Sequence, residues 1–372
     1  MLADGRTIVG LRVTYVRDRP RKRVLVRYEV TCGPETHMLV AQASADGRLA
    51  SRAARRESIA LAEAALARRS PARRPLAYDD GLSALFEWPP LDLALPALVH
   101  APEQLRAHME DAGLRFASAD DAPRLIKHNH AHRAVLRSET YIAKIYRNER
   151  ALESARAALR AAAQLPVRTA RWEASLPELR MTVQSLLPGL RPESAEAAAA
   201  AAGGLLAELH SGRVDGLPVE TPADRLQRTR DSTDLIASIA AERTDRLMRR
   251  LEASAHEEAL VTSHGGFHVS QLLETDSGLA VIDFDGACLA PPARDLASYV
   301  ASVADGPDRL AHTAATMATL CDGYGRRPGG IAWYLSTLLL RRARAPFAGF
   351  HARWPEEIEQ RLETAERALD EL

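Results

Sequence analysis

This 372-residue chain is short of cysteine and of net charge, and each shortage excludes something. Its three cysteines, Cys32, Cys288 and Cys321, are too few and too scattered for a disulfide framework or a cysteine-built zinc site. A reducing cytoplasm is the expected location. Lys plus Arg is 49 and Asp plus Glu is 49, so the formal charge is zero. That balance argues against a nucleic-acid protein whose affinity rests on bulk positive charge. No run of ~18 apolar residues exists, so no membrane span is expected. The opening MLADGRTIVGLRV lacks the long apolar stretch of a secretory signal.

What is present is ordinary for a globular protein: 46% hydrophobic and 26% charged residues. The length allows two or three domains, or one large domain with lobes. Arg greatly outnumbers Lys and Ala is abundant, a bias without chemistry of its own. Residues 7–15, 24–30 and 38–43 read as strands, and 52–69 as a helix. The proline-rich segment 86–98 (FEWPPLDLALPAL) reads as an extended connector, neither helix nor central strand. A helix is expected over 102–113. Short strands follow at 125–130, 133–139 and 141–146, then a helix over 147–164 and a strand pair near 169–173 and 178–186. Helices at 193–211 and within 222–253 precede strands at 260–264 and 279–284. The chain is helical from 292 onward, ending with 355–371. The layout is α+β with two lobes.

A weak internal repeat is visible. Arg23-Val24-Leu25-Val26-Arg27 precedes Val40-Ala41-Gln42, and Arg133-Ala134-Val135-Leu136-Arg137 precedes Ile142-Ala143-Lys144. Each copy is an Arg-flanked strand followed by a return strand; the second ends in Lys, the first in Gln. The cluster Arg17, Arg19, Arg21, Lys22 and Arg23 reads as a solvated turn, or as a contact for an anionic partner.

The sharpest feature is S-H-G-G-F-H-V-S-Q-L-L (263–273) followed by V-I-D-F-D-G-A (281–287). These segments resemble the catalytic and metal-binding loops of the aminoglycoside phosphotransferase family, the small-molecule branch of the protein-kinase fold. The family pattern is H-G-D-x-H-x-x-N, a hairpin, then an apolar strand ending I-D-F or I-D-W; His264, Gly265, His268 and Asp283 match it. The resemblance covers roughly 121–372. It implies a two-lobed kinase-like fold: an N-terminal appendage over 1–118 that imitates the small lobe, the small lobe over 119–188, and a helical lobe over 189–372. It also implies ATP and Mg²⁺ as cofactors, and the hydroxyl of a small molecule or peptide as phosphate acceptor.

The resemblance assigns roles residue by residue. Lys144 clamps phosphate, since phosphoryl transfer rests on positioning and charge neutralisation. An acidic residue on the following helix orients it, Glu153 more suitably than Glu149. Gln184 and Leu186, just ahead of the hinge-like Leu187-Pro188-Gly189, contact the nucleotide. Asp283, Asp285 and Gln271 (Asn in the family) hold metal. His264 holds the loop backbone, His268 organises the loop or serves as acid or base, and Asp295 in PARDL braces the loop.

One departure outweighs the matches: the family's catalytic aspartate falls at Gly266, which has no side chain to orient an acceptor hydroxyl. Losing such a group costs ~10²–10⁴ in rate, or ~3–5 kcal/mol. Three readings stay open: a pseudokinase, a slow kinase in which His268 or Asp285 orients the acceptor, or an enzyme disabled by substitution. A scaffold that holds a peptide or partner enzyme is the alternative from a different class. No glycine-rich phosphate loop is present; Asn129-His130-Ala131-His132 occupies that turn.

Overall fold

The computed structural model describes residues 7–19, 23–68, 70–255, 258–304 and 310–372. It divides into two compact units. The first comprises Met1–Glu153, Glu173–Leu186 and Ala348–Ala352; the second comprises Ser154–Trp172, Leu187–Phe347 and Arg353–Leu372. Among the described residues no helix is long and apolar enough to cross a membrane.

The first unit holds two antiparallel sheets. Strands β1 (Gly10–Arg19), β2 (Arg23–Cys32) and β3 (Glu35–Ala43) form a meander, with Gly33 at φ 62° taking the left-handed turn that its missing Cβ permits. Helices α1 (Arg48–Ala53) and α2 (Arg56–Ala67) follow, then β4 (Leu76–Asp79) and β5 (Ala84–Glu87). After α3 (Pro102–Asp111), strands β6 (Arg124–Asn129), β7 (Arg133–Arg137) and β8 (Tyr141–Tyr146) make a second meander. The chain continues through α4 (Glu149–Ala162), whose residues from Ser154 on belong to the second unit, and returns to the second sheet with β9 (Trp172–Leu176) and β10 (Met181–Ser185).

The sheets share one topology: β1-β2-β3-β5-β4 in the first, β6-β7-β8-β10-β9 in the second. The register repeats too. Gln42 pairs with Leu25 on β2 and Leu85 on β5. Lys144 pairs with Val135 on β7 and Thr182 on β10. Leu25 and Val135 are each the third residue of an Arg-flanked pentapeptide. Under the second sheet, Leu105 and Met109 of α3 pack with Leu136, Ile145 and Met181.

The structure corrects three local expectations. Phe86 and Glu87 belong to β5, which lies inside the sheet between β3 and β4; the prolines that forbid a central strand begin only at Pro89. The single helix expected over 52–69 is two helices, because Arg55 adopts an extended backbone between them. Arg17 and Arg23 are not a solvated turn. Arg17 donates to Asn129 and to the His130 carbonyl, and Arg23 donates to Gln42 Oε1 at 2.7 Å. Arg21 and Lys22 lie outside the described residues.

The second unit is mostly helical: α5 (Ala199–Ser211), α6 (Pro222–Arg230), α7 (Asp234–Ala253), α8 (Ala293–Val300), α9 (Leu310–Tyr324), α10 (Ile331–Arg342), α11 (Ala345–Ala348) and α12 (Trp354–Glu371). Among the described residues, four short strands interrupt it: β11 (Val261–Ser263), β12 (Leu272–Thr275), β13 (Gly278–Val281) and β14 (Cys288–Ala290). Thr221 and Asp224 close a capping box at the start of α6. Helices α5 and α9 approach closely because Gly203 faces the Leu320 carbonyl and Gly323 faces the Ala200 carbonyl. The core joins Leu206 and Leu209 of α5 to Leu247, Phe267, Phe284, Tyr299, Leu335 and Leu362.

Candidate active site

In the second unit two pairs of short strands hold two loops. Strand β11 pairs with β14, and β12 with β13. The loop 264–271 runs from β11 to β12, and 282–287 runs from β13 to β14. Ile282 N donates to Gln271 O at 2.9 Å, which ties the end of one loop to the start of the other.

Asp295, fully buried on α8, organises the first loop. Its Oδ2 accepts from His264 N at 2.6 Å and its Oδ1 from Gly265 N at 3.0 Å. His210 Nε2 of α5 lies 3.3 Å from Oδ2, and Arg294 Nη1 lies 3.6 Å from Oδ1. Burial alone would raise this carboxyl. The hydrogen bond and charge of His210, with the charge of Arg294, hold it well below the usual carboxylate range. Arg294 in turn meets Glu220, 2.7 Å from its Nε, and Arg228 closes on the same carboxylate at 2.6 Å.

His264 is buried between Phe267 and Phe284, with ring centroids at 5.8 and 4.7 Å. Its Nε2–H donates to Ile282 O at 3.0 Å, so the imidazole bridges the two loops. Burial lowers its pKa against the opposing charge of Asp295, which keeps the ring neutral at pH 7. Gly265 sits at φ 83°, and a Cβ there would stand 1.7 Å from the Gly286 carbonyl oxygen. The loops therefore cross backbone to backbone, at a point that excludes any side chain. At Gly266, one residue on, an added Cβ meets nothing within 4 Å.

Asp283 adopts the left-handed backbone at φ 70°, a conformation Asp tolerates better than most residues. Gln271 Nε2 donates to Asp283 Oδ2 at 3.3 Å and lies 3.4 Å from His268 Nε2, while His268 Nδ1 contacts Ser270 Oγ at 2.7 Å. A carboxylate and an amide side by side, with the half-buried Asp285 two residues on, are oxygen donors that fit a hard divalent cation.

The structure thus brings His264, Gly266, His268, Gln271, Asp283 and Asp285 together on two adjoining loops. The other candidates belong to the first unit's second sheet and the start of α4. Lys144 and Gln184 are buried on β8 and β10. Leu186 follows β10, its N–H donating to Thr140 O at 2.8 Å, and Glu153 lies exposed on α4. Sequence reasoning missed His210 and Glu220. His210 closes the segment LLAELH, but nothing in that segment points to a carboxylate 85 residues away.

The family model described as "Phosphotransferase enzyme family" matches residues 123–334. Among solved structures, the chain is similar to a choline/ethanolamine kinase family protein from Mesorhizobium loti, at 14% identity and TM-score 0.53, over 72% of this chain and 95% of that one. It is also similar to the amicoumacin kinase hAmiN, solved with AMP-PNP, Ca²⁺ and Ami, at 14% identity and TM-score 0.53, over 73% and 96% of the two chains. A third is APH(2")-IIa in its ternary complex with streptomycin and ATP, at 12% identity and TM-score 0.50, over 71% and 96%. At such identities the likeness shows the kinase-like fold. No curated protein matches the sequence.

Proposed function

Because the chain belongs to the phosphotransferase enzyme family, we propose that it binds ATP with Mg²⁺ and moves the γ-phosphate to a hydroxyl of a small molecule or peptide. The rate is strongly attenuated because Gly266 stands where the family carries its catalytic aspartate. The observation that carries this reading is the intact frame around a missing side chain. Asp295, His264 and Gly265 hold the loop by hydrogen bonds and a backbone crossing, while the space beside Gly266 is open.

In this reading Lys144 grips phosphate oxygens, Glu153 orients it, and Gln184 and Leu186 receive the base. Asp283, Gln271 and Asp285 would hold Mg²⁺, which when bound supplies charge neutralisation at the phosphates. The neighbour solved with AMP-PNP and Ca²⁺ and the one solved with streptomycin and ATP support a nucleotide, a divalent cation and a small-molecule acceptor. Residues 1–118 are a degenerate copy of the small lobe; the shared strand order and the equivalent registers of Gln42 and Lys144 support this. With an amide in the lysine position, that copy does not clamp phosphate.

The test is Gly266→Asp, with Mg-ATP binding read by thermal shift and turnover read as ADP release against water and a panel of aminoglycosides and hydroxylated peptides. We expect a Mg-ATP shift in both proteins and turnover ~10²–10⁴-fold higher in the variant. Fast transfer by the unaltered chain would refute attenuation at Gly266. Absence of any nucleotide shift would favour the second reading, a non-catalytic protein that holds a partner, which the glycine equally supports.

A further inference from the structure

His130 and Ala131, in the turn between β6 and β7, are buried. Ala131, at φ 57°, packs with Leu25 and Val40 of the first sheet. Beneath it two carboxylates are wholly inaccessible: Glu87 at the end of β5 and Asp92 in the connector that follows. Two histidines meet them. His128 is the penultimate residue of β6 and His130 opens the turn, so the His-Asn-His spacing points both rings to one face.

Asp92 Oδ2 lies 2.9 Å from His128 Nε2 and 3.4 Å from His130 Nδ1. All three atoms fall within 4.8 Å of one another. The far nitrogen of His130, Nε2, lies 2.9 Å from Glu87 Oε2. That bond places a hydrogen on Nε2; with the ring neutral, the Nδ1 lone pair faces the Asp92 carboxylate. His130 Nδ1 is buried with no hydrogen-bond partner. A lone pair facing a carboxylate oxygen in a dry site is repulsive unless a positive charge lies between them.

The wider charge balance has the same shortfall. Among the described residues, the ion-pair partners of Glu87 and Asp92 within 4 Å are these two imidazoles. Gln42 donates to Glu87 but brings no charge. With neutral rings, the pocket carries two buried negative charges, the lone pair of His130 Nδ1, and a hydrogen on His128 Nε2 that donates to Asp92; a divalent cation offsets the charges, uses the lone pair and displaces that hydrogen. The separations of 2.9 and 3.4 Å bracket the ~3.3 Å between ligand atoms around a tetrahedral zinc ion. Nitrogen donors favour zinc-class metals over Mg²⁺ or Ca²⁺.

We propose that Asp92 Oδ2, His128 Nε2 and His130 Nδ1 bind a transition-metal cation of the zinc class, with Glu87 orienting His130 as the outer carboxylate of a carboxylate–histidine–metal relay. The ion joins three segments: the end of the first sheet, the connector after it, and the β6–β7 turn. It is separate from the Mg²⁺ of the phosphoryl-transfer reading and does not depend on that reading.

The test uses the full chain, stripped with chelator and titrated with Co²⁺ and then Zn²⁺. We expect one equivalent of Co²⁺ with the visible absorption of a tetrahedral nitrogen–oxygen site, bleached by Zn²⁺, and a rise in melting temperature with Zn²⁺ that Mg²⁺ does not reproduce. Glu87→Gln should weaken the affinity ~10–100-fold while leaving the stoichiometry unchanged. His128→Gln and Asp92→Asn should abolish the Co²⁺ spectrum. A wild-type chain that takes up no Co²⁺ or Zn²⁺ overturns the site, and means protons on the two imidazoles supply the positive charge. An undiminished spectrum in folded His128→Gln overturns it as well. The wild-type titration decides the matter even if the variants fail to fold.

Discussion

Removing the carboxylate of Asp295 tests how the candidate active site is held. Three donors converge on this buried group: His264 N at 2.6 Å, Gly265 N at 3.0 Å and His210 Nε2 at 3.3 Å. Asp295→Ala leaves all of them without an acceptor in a site closed to water. At ~1–3 kcal/mol for each of the three stranded donors, the expected loss is ~3–9 kcal/mol. That is a large share of the ~5–15 kcal/mol that holds a typical domain folded. Asp295→Asn keeps one oxygen but turns an NH₂ toward a donor and gives up the charge. Its expected loss is ~2–4 kcal/mol. Urea unfolding at pH 7 measures both. The pH dependence adds a check. The native carboxyl titrates below its usual range, so the unfolded chain binds the proton first as pH falls. The stability this group contributes is therefore complete at neutral pH and fades as pH drops below ~4 and approaches the native value. The gap between wild type and Asp295→Asn should narrow accordingly. A loss under ~1 kcal/mol in the alanine variant, or a gap that widens in acid, would refute the assigned geometry.

Other substitutions separate close neighbours. Gly265→Ala should cost at least ~2 kcal/mol, because a Cβ there meets the Gly286 carbonyl at 1.7 Å; Gly266→Ala should unfold in urea within ~0.5 kcal/mol of wild type. Gly203→Ala places a methyl 2.1 Å from the Leu320 carbonyl and should lower the melting temperature by several degrees as α5 and α9 are pushed apart. Glu220→Gln removes the carboxylate shared by Arg294 and Arg228, and denaturant titration should record a loss of ~3–5 kcal/mol from depriving buried Arg294 of its nearest carboxylate. With Gly266→Asp, which adds a carboxylate into open space, turnover rather than stability is the quantity that should change.

Much of the fold was legible because its signals are local. The strands of both meanders announce themselves by β-branched, alternating sequence, and the Arg-flanked pentapeptides marked equivalent strands in both sheets. The misses have local causes too. Nothing in 52–69 marks Arg55 as extended, and the prolines after Glu87 hid a strand that ends just before them. In the candidate site, the motif at 263–273 and the I-D-F strand end identified the two loops from residue types and spacing. The partners of Asp295 were not readable, since His210 and Asp295 meet only because α5 packs beside the start of α8.

The order of the chain alone indicated most of the strands and helices, the two short motifs of the candidate site, and a glycine at position 266 within them, because each of these is written in neighbouring residues. Folding in three dimensions decided what surrounds them. It set a buried carboxylate under the loop, open space beside Gly266, and two carboxylates facing two histidines where the appendage meets the β6–β7 turn. Those arrangements depend on the packing of segments tens of residues apart, and no periodicity in the sequence encodes such distances.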